Sequence, residues 1–217
     1  MAVDVAIIAS TSPDFPLTLR CSSWDFPCSQ LWAIGNLGIL KNRLLGFFCT
    51  TRCPGNVIVH TYDLARAMRD SGIPVISGFH SPMEKECLDI LLRGTQPLVI
   101  CPARSIERMR LPAAWRTPLA EARLLILSPF PAHQQRPTTA LAEQRNRFVA
   151  MLADTIFVAH AGAGSRIEGL CSEIIAQSKR VYTLDLPENA QLVWDGIRAQ
   201  TVHGLIERFL NHHRPTA

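Results

Sequence analysis

The chain has 217 residues, of which 47% are hydrophobic and 18% are charged, and its formal net charge is +4. This length suits one α/β domain of ordinary size, and this composition excludes a disordered chain. The small positive charge permits a polyanionic partner but does not by itself indicate one.

Residues 1–43 are predicted to form an N-terminal extension packed on the core. The segment Val3–Ser10 predicts a short strand, whereas the rest of the extension, rich in proline and aromatic residues, has no clear period. Residues 44–217 are predicted to form a Rossmann-like domain, because short apolar runs there alternate with helical patterns.

The six apolar runs of the domain predict buried strands. They are Leu44–Thr50, Ile73–Gly78, Pro97–Pro102, Arg123–Pro129, Thr155–Ala161 and Arg180–Asp185. The amphipathic patterns predict helices. They are Asn56–Gly72, Pro82–Gly94, Thr138–Asp154, Ser165–Lys179 and Val202–His213. Ser81, followed by Pro82 and by Glu84 three residues after it, predicts a capping box at the start of the second of these helices. Strands and helices in alternation predict an α/β fold, a Rossmann-like three-layer αβα arrangement with a mainly parallel sheet.

Two turns after predicted strands combine glycine, hydroxyl groups and the start of a helix, namely residues 50–56 and residues 162–165. Ligands of such sheets bind beyond the carboxyl ends of the strands, and helix N-termini bind anions through their N–H groups. Glycine allows close approach, and Arg52 supplies a guanidinium suited to phosphate. The predicted phosphate- or nucleic-acid-binding residues are Thr50, Thr51, Arg52, Gly55, Ser77, Gly78, His80, Arg145, Asn146, Arg147, Gly162, Gly164 and Ser165.

Each of these features also has a purely structural interpretation. Glycine and hydroxyl residues at such turns cap helices, and His80 either contacts a phosphate or caps the next helix. Arg145 and Arg147 stand two positions apart and so lie on different faces. Either one of them points at the site while the other pairs with an acid such as Glu143 or lies in solvent, or both lie in solvent.

The seven cysteines are scattered and odd in number. They predict reduced thiols and a cytoplasmic protein, and their spacing indicates no metal site. No apolar stretch reaches the length of a membrane span, and the first residues lack the pattern of a signal peptide, so no membrane contact is expected.

The order of these motifs resembles the DprA/Smf family of DNA-processing proteins over about Pro13 to Asp185. Arg145-Asn146-Arg147 followed by the strand at Thr155 is the most specific segment, and Val75–Gly78 is similar to the start of a second signature. The resemblance implies a protein that binds single-stranded DNA or nucleotide phosphate, without catalysis, in DNA processing, uptake or recombination. It also implies a homodimer, for which the apolar face at Leu205–Phe209 is a candidate surface.

The sequence departs from that family at three places. Thr50-Thr51-Arg52 stands where the family has Gly-Ser-Arg, Phe79–Glu86 replaces Ala-x-Gly-Ile-Asp, and Ala163-Gly164-Ser165 replaces Ser-Gly-Ser. Contacts made by backbone N–H groups and arginine tolerate such changes, so DNA binding is still expected. A recombinase partner is not carried over to this chain.

Residues 162–168 are also similar to the glycine signature of the LOG-type phosphoribohydrolases and of the related molybdenum-cofactor carriers. That resemblance implies an alternative function, cleavage of a nucleoside 5′-monophosphate, in which Arg145 binds phosphate or ribose and Glu168 assists catalysis. Taken alone, Glu168 is a favourable charge in the first turn of its helix. A non-catalytic nucleotide-sensing or carrier module is the third alternative, and no cofactor is expected.

Overall fold

The computed structural model describes residues 4–20, 24, 26 and 28–211 of the chain. Cys21 and the predicted end of the last helix, His212 and His213, lie outside the described residues.

The described residues form one nine-stranded sheet. Its strands in chain order are β1 Ala6–Ala9, β2 Gln30–Gly35, β3 Leu45–Phe48, β4 Val75–Ser77, β5 Leu98–Ile100, β6 Leu124–Ser128, β7 Thr155–Val158, β8 Arg180–Leu184 and β9 Arg198–Gln200. The α-helices are α1 Leu17–Arg20, α2 Gly55–Asp70, α3 Pro82–Leu91, α4 Ala113–Ala120, α5 Thr139–Leu152, α6 Arg166–Ala176, α7 Ala190–Trp194 and α8 Val202–Asn211. Two short 3-10 helices span Leu37–Lys41 and Pro187–Asn189.

The strand order is β1-β2-β6-β5-β4-β3-β7-β8-β9. Strand β2 runs antiparallel to both β1 and β6, and the other neighbouring strands run parallel. The chain adds β4, β5 and β6 on one side of β3 and then β7, β8 and β9 on the other side. The direction of winding therefore reverses between β3 and β7, which makes this boundary the topological switch point.

Successive residues of the central strands contribute to opposite faces of the sheet. Phe47 packs in a cluster with residues of α2, α3 and α8, whereas Phe48 packs in a cluster with residues of α5 and α6. Both faces are thus covered by helices, which explains why the central strands are continuous apolar runs. The predicted Rossmann-like α/β fold with a mainly parallel sheet is confirmed.

The capping signals of the sequence act where they were expected. Ser81 caps α3 by accepting a hydrogen bond from the Glu84 amide, the Glu84 carboxylate accepts one from the Ser81 amide, and Pro82 stands in the first turn. This reciprocal arrangement satisfies N–H groups that the helix itself leaves without partners.

The N-terminal part of the chain contributes two strands to the same sheet, β1 and β2. The sequence predicted β1 but left the rest of this region without a topology. The division of the chain into residues 1–43 and 44–217 stays a prediction.

The apolar face of α8 is used inside the chain. Leu205, Ile206 and Phe209 are buried in the cluster that also holds residues of α2 and α3. This face is therefore not available as a dimer surface, although a homodimer built on another surface stays a prediction.

Candidate functional site

A cleft of about 580 Å³ opens at the switch point, beyond the carboxyl ends of β3 and β7. We call it the first cleft. Nine of the predicted binding residues line it together with Cys49, Glu84, Glu143 and Arg166. They are Thr50, Thr51, Arg52, His80, Arg145, Asn146, Gly162, Gly164 and Ser165. The two turns that the sequence singled out thus share one concavity with the start of the Arg-Asn-Arg segment.

The loop after β3 is anchored across the switch point. The Thr50 amide donates to the His160 carbonyl at 3.1 Å, and the Thr50 hydroxyl lies 2.9 Å from the Arg52 carbonyl and 3.2 Å from that of His160. Thr51 and Arg52 are exposed at the tip of this loop. Within the described residues, the Arg52 guanidinium has no carboxylate within 4.0 Å, so it is available to an anion in solution.

Arg145 is buried at the wall of the cleft, with only 4% of its surface exposed. Its Nη1 donates to the Cys101 carbonyl at 3.2 Å and its Nε donates to Oδ1 of Asn146 at 2.8 Å. Burial lowers the pKa of the Arg145 guanidinium from its ordinary value, while the Glu84 carboxylate acts in the opposite direction. Arginine stays charged under these conditions, so Arg145 provides a fixed positive charge.

Glu84 links the loop after β3 to the loop after β4 through hydrogen bonds. Its carboxylate accepts hydrogen bonds from the amides of Cys49 at 3.0 Å, His80 at 2.7 Å and Ser81 at 3.2 Å. The sequence identified Glu84 as part of a capping box, but the contact with Cys49, 35 residues earlier, was missed. The carboxylate therefore fixes the positions of both loops that border the cleft.

The glycine loop before α6 already binds one carboxylate of the chain. Ser165 caps α6 by accepting from the Glu168 amide at 3.2 Å, and Oε2 of Glu168 accepts from the Gly164 amide at 2.6 Å. Glu168 is not among the residues that line the first cleft. Its carboxylate therefore stabilises the loop. The sequence interpretation of Glu168, a favourable charge in the first turn of α6, did not include this contact.

Arg147 points away from Arg145, as the spacing of the two residues indicated. It forms an ion pair with Glu173, with distances of 2.7 and 2.8 Å. Glu143, the acid named from the sequence, instead pairs with Arg166 at 2.9 Å. Arg147 lines a smaller groove beside the first cleft, and a role for it in binding stays a prediction.

Three further predicted residues lie outside the first cleft. Ser77 is buried and donates its hydroxyl to the Phe47 carbonyl at 2.7 Å, which is a structural contact between neighbouring strands. Gly55 begins α2 and is exposed. Gly78 packs against the guanidinium of Arg145. Binding roles for these three residues stay predictions.

Two cysteines flank the loop that carries Arg52. The Cys49 thiol is hydrogen-bonded to Sγ of Cys53, and this bond lowers the pKa of Cys53 and raises that of Cys49. Cys53 also lies directly before the N-terminal residues of α2, where partial positive charge favours a thiolate. Cys53 is therefore the more reactive thiol of the pair.

A second cleft of about 530 Å³ adjoins the first and was not anticipated from the sequence. It lies between the loop after β4, α3, the residues after β5 and the start of α4. His80 and Arg145 line both clefts, so the two clefts share part of their walls. The sequence missed it because residues 104–122 carry proline and no clear period, which concealed α4.

Over the part of the chain that the structure describes, no cluster of three or more potential metal ligands is found. Within the same residues, no helix combines the length and the apolar character that crossing a bilayer requires.

The family model described as DNA recombination-mediator protein A matches residues 6–193. A comparison with curated proteins found no match.

Several solved structures are similar to the chain in fold. DNA processing protein A from Streptococcus pneumoniae superposes with a TM-score of 0.77 at 16% identity, covering 94% of this chain and 74% of the other. DNA processing protein A from Helicobacter pylori, described as binding single-stranded DNA, has a TM-score of 0.75 at 19% identity, covering 98% and 99%. The molybdenum cofactor binding protein from Rippkaea orientalis has a TM-score of 0.57 at 10% identity, covering 80% and 98%.

Proposed function

Because the chain belongs to the family of DNA recombination-mediator protein A, we propose that it binds single-stranded DNA in the first cleft. The observation that carries this proposal is the convergence at the switch point of Arg52, Arg145 and the glycine loop at residues 162–165. We take the class of ligand from the Helicobacter pylori protein, because that structural relative is described as binding single-stranded DNA.

The groups at the cleft suit a phosphate backbone. Arg52 is an exposed guanidinium without a carboxylate partner among the described residues, and Thr50, Thr51 and Ser165 bring hydroxyl groups to the same concavity. Guanidinium, hydroxyl and backbone N–H groups are the usual partners of nucleic-acid phosphates. Arg145 adds a fixed positive charge at the wall, which attracts the strand without having to be ordered on binding.

We propose a single strand rather than a duplex because the cationic groups line a concave site. A flexible strand can place successive phosphates inside such a site, whereas the phosphates of a duplex lie on a rigid convex surface. Binding without sequence preference is expected, because these groups are complementary to the backbone and not to the edges of the bases.

We propose binding without catalysis. A nucleoside monophosphate hydrolase would require a carboxylate that is free to act on the substrate. The carboxylate of Glu84 accepts three backbone N–H bonds, that of Glu143 is paired with Arg166, and that of Glu168 is engaged by the Gly164 amide. No observation at the site therefore favours the hydrolase.

A cytoplasmic location fits this function. Every cysteine that the structure describes is a free thiol, and free thiols persist in a reducing compartment. The process that uses the bound strand, recombination or DNA uptake, follows from the family and not from the geometry of this chain.

The test is fluorescence anisotropy with a labelled oligothymidylate and with a duplex of the same length. The single strand should bind more tightly, and its affinity should fall steeply as salt is raised. Arg52→Ala should weaken binding by about tenfold, the effect of one lost charged hydrogen bond. Arg66→Ala is the matched control, since Arg66 is an exposed arginine of α2, paired with Asp63, that lines neither cleft.

Affinity that is independent of salt, or equal losses in Arg52→Ala and Arg66→Ala, would show that the first cleft does not bind DNA phosphates.

A further inference from the structure

The second cleft has a different chemical character from the first. Trp115 is half-buried at one wall, with Met109 beside the cleft and Leu88 and Ile100 contributing apolar surface. An indole that lines a cleft offers aromatic surface of the kind on which a nucleobase stacks. The first cleft, in contrast, has no aromatic residue other than His80 among the described residues that line it.

The indole is held in place by the core. Trp115 packs against both the cluster of α2, α3 and α8 and the cluster around Ile106 and Ile126. Because this packing restricts its rotamers before any ligand arrives, little conformational entropy is lost when a base stacks on it.

Cations lie around this apolar surface. Lys85 and Arg104 line the second cleft, and neither forms an ion pair in the described part of the chain. Asp89 is the only carboxylate residue among the described residues that line it. The combination of an aromatic wall, apolar surface and excess positive charge matches a base together with its phosphate, and not a phosphate alone.

His80, which is exposed, and Arg145 contribute to the walls of both clefts. We propose that the second cleft holds a nucleobase, stacked on Trp115, of the same DNA strand whose phosphates occupy the first cleft. The inference rests on the proposed function and adds to it a base subsite and a path, since the strand passes from one cleft to the other over His80. Stacking tolerates any base, so this subsite adds affinity without sequence preference.

The test measures the contribution of the bases to affinity separately from that of the phosphates. Two labelled strands of equal length and charge are compared, an oligothymidylate and a strand of the same backbone with abasic positions. Wild-type protein should bind the oligothymidylate about tenfold more tightly, as expected for one stacked base. Trp115→Leu, which fills much of the same volume without an aromatic face, should lose that preference, whereas Trp115→Phe should keep it.

Trp194→Ala is the matched control. Trp194 lies on α7, is 85% exposed and lines neither cleft, so this variant should retain the full preference for the base-bearing strand. Thermal unfolding of each variant establishes that it is folded. If Trp115→Leu is not folded, Lys85→Gln and Arg104→Gln decide. Each should reduce the slope of log K against log salt concentration by about 0.7, the contribution of one phosphate contact on a single strand.

An unchanged preference in Trp115→Leu would overturn the base subsite while leaving the first cleft as a phosphate site. Unchanged salt dependence in both Lys85→Gln and Arg104→Gln would also overturn the base subsite, and the first cleft would remain a phosphate site. Failure of the wild-type protein to bind either strand would overturn the proposed function itself. A free mononucleotide that binds as tightly as the oligothymidylate and loses affinity in Trp115→Leu would also overturn the strand path, because the cleft would then be a mononucleotide site.

Discussion

The guanidinium of Arg145 fills the space that a side chain at residue 78 would need. A Cβ atom on Gly78 would lie 1.2 Å from Nη1 of Arg145, a distance that no pair of non-bonded atoms can adopt. Glycine at this position therefore allows Arg145 to be buried between the two clefts, where it donates to the Cys101 carbonyl.

Gly78→Ala should displace Arg145 and deform both clefts. We expect the free energy of unfolding to fall by about 1–3 kcal/mol, the usual effect of overpacking a buried site, and the affinity for single-stranded DNA to fall with it. Urea denaturation and anisotropy measure the two effects. Gly169→Ala is the control, because nothing lies within 4 Å of a Cβ atom at that position of α6 and Gly169 lines neither cleft. Wild-type stability and affinity in Gly78→Ala would contradict the steric role assigned here.

Glu168 should oppose DNA binding rather than assist a reaction. Its carboxylate occupies the Gly164 amide beside the first cleft, so Glu168→Gln removes a negative charge there. We expect tighter binding of an oligothymidylate by about twofold, the size of a surface charge effect. The exposed Glu207 on α8 provides the control variant Glu207→Gln, which should leave affinity unchanged. Release of a free base from a nucleoside monophosphate, abolished in Glu168→Gln, would instead support the hydrolase.

Cys53 should react with iodoacetamide faster than the other described cysteines. The hydrogen bond from Cys49 lowers the pKa of Cys53, whereas burial raises the pKa of Cys101 and Cys171 to about 12. A lower pKa leaves more thiolate at neutral pH, and the thiolate is the nucleophile. Mass spectrometry of peptides after brief alkylation measures the order. Cys49→Ala should slow labelling of Cys53, and faster labelling of Cys101 than of Cys53 would rule out this assignment.

Lys179 should make the free energy of unfolding depend on pH between about 8 and 10.5. Its Nζ donates to the carbonyls of Ala150, Met151 and Ala153 at the end of α5. Burial lowers the pKa of Lys179 from its ordinary value of 10.5 to about 8, and Asp154 acts in the opposite direction. Between these two values the unfolded chain binds more protons than the folded one, so the contribution of Lys179 to the free energy of unfolding increases as pH rises through this window.

The comparison of wild type with Lys179→Met isolates this effect, since other groups also titrate above neutral pH. The free energy of unfolding of wild type minus that of Lys179→Met should increase between about pH 7 and about pH 10. Urea denaturation under reducing conditions measures both values. If the value for wild type minus that for Lys179→Met stays constant or decreases over this range, burial does not destabilise the ammonium group.

Local patterns in the sequence were sufficient for most of the fold. The strands β3 to β8 lie within the predicted apolar runs, because strands covered on both faces have no polar alternation. Strand β9 was missed since its three residues, Arg198–Gln200, are short and polar, and β2 was missed inside a region without a period. Helix α4 was missed because Pro118 lies inside it, and proline usually ends a helix.

The candidate site was predictable only in part. Arg52 and the glycine loop follow strands directly, so the general rule for parallel sheets located them. The contact between Glu84 and Cys49 and that between Gly78 and Arg145 join residues far apart in the chain, and no local pattern contains them. The second cleft was missed for the same reason, since its walls come from α3, α4 and the residues after β5.

The sequence by itself determined the alternation of strands and helices, the capping of α3 and the two turns able to meet an anion. Apolar period and capping depend on residues within one or two turns of each other, so they can be read along the chain. Only the tertiary structure decided that β3 and β7 are neighbours, that Arg145 is buried against Gly78, and that a second cleft with Trp115 lies beside the first. Those outcomes depend on the order of strands in the sheet, which is set by the packing of the whole chain.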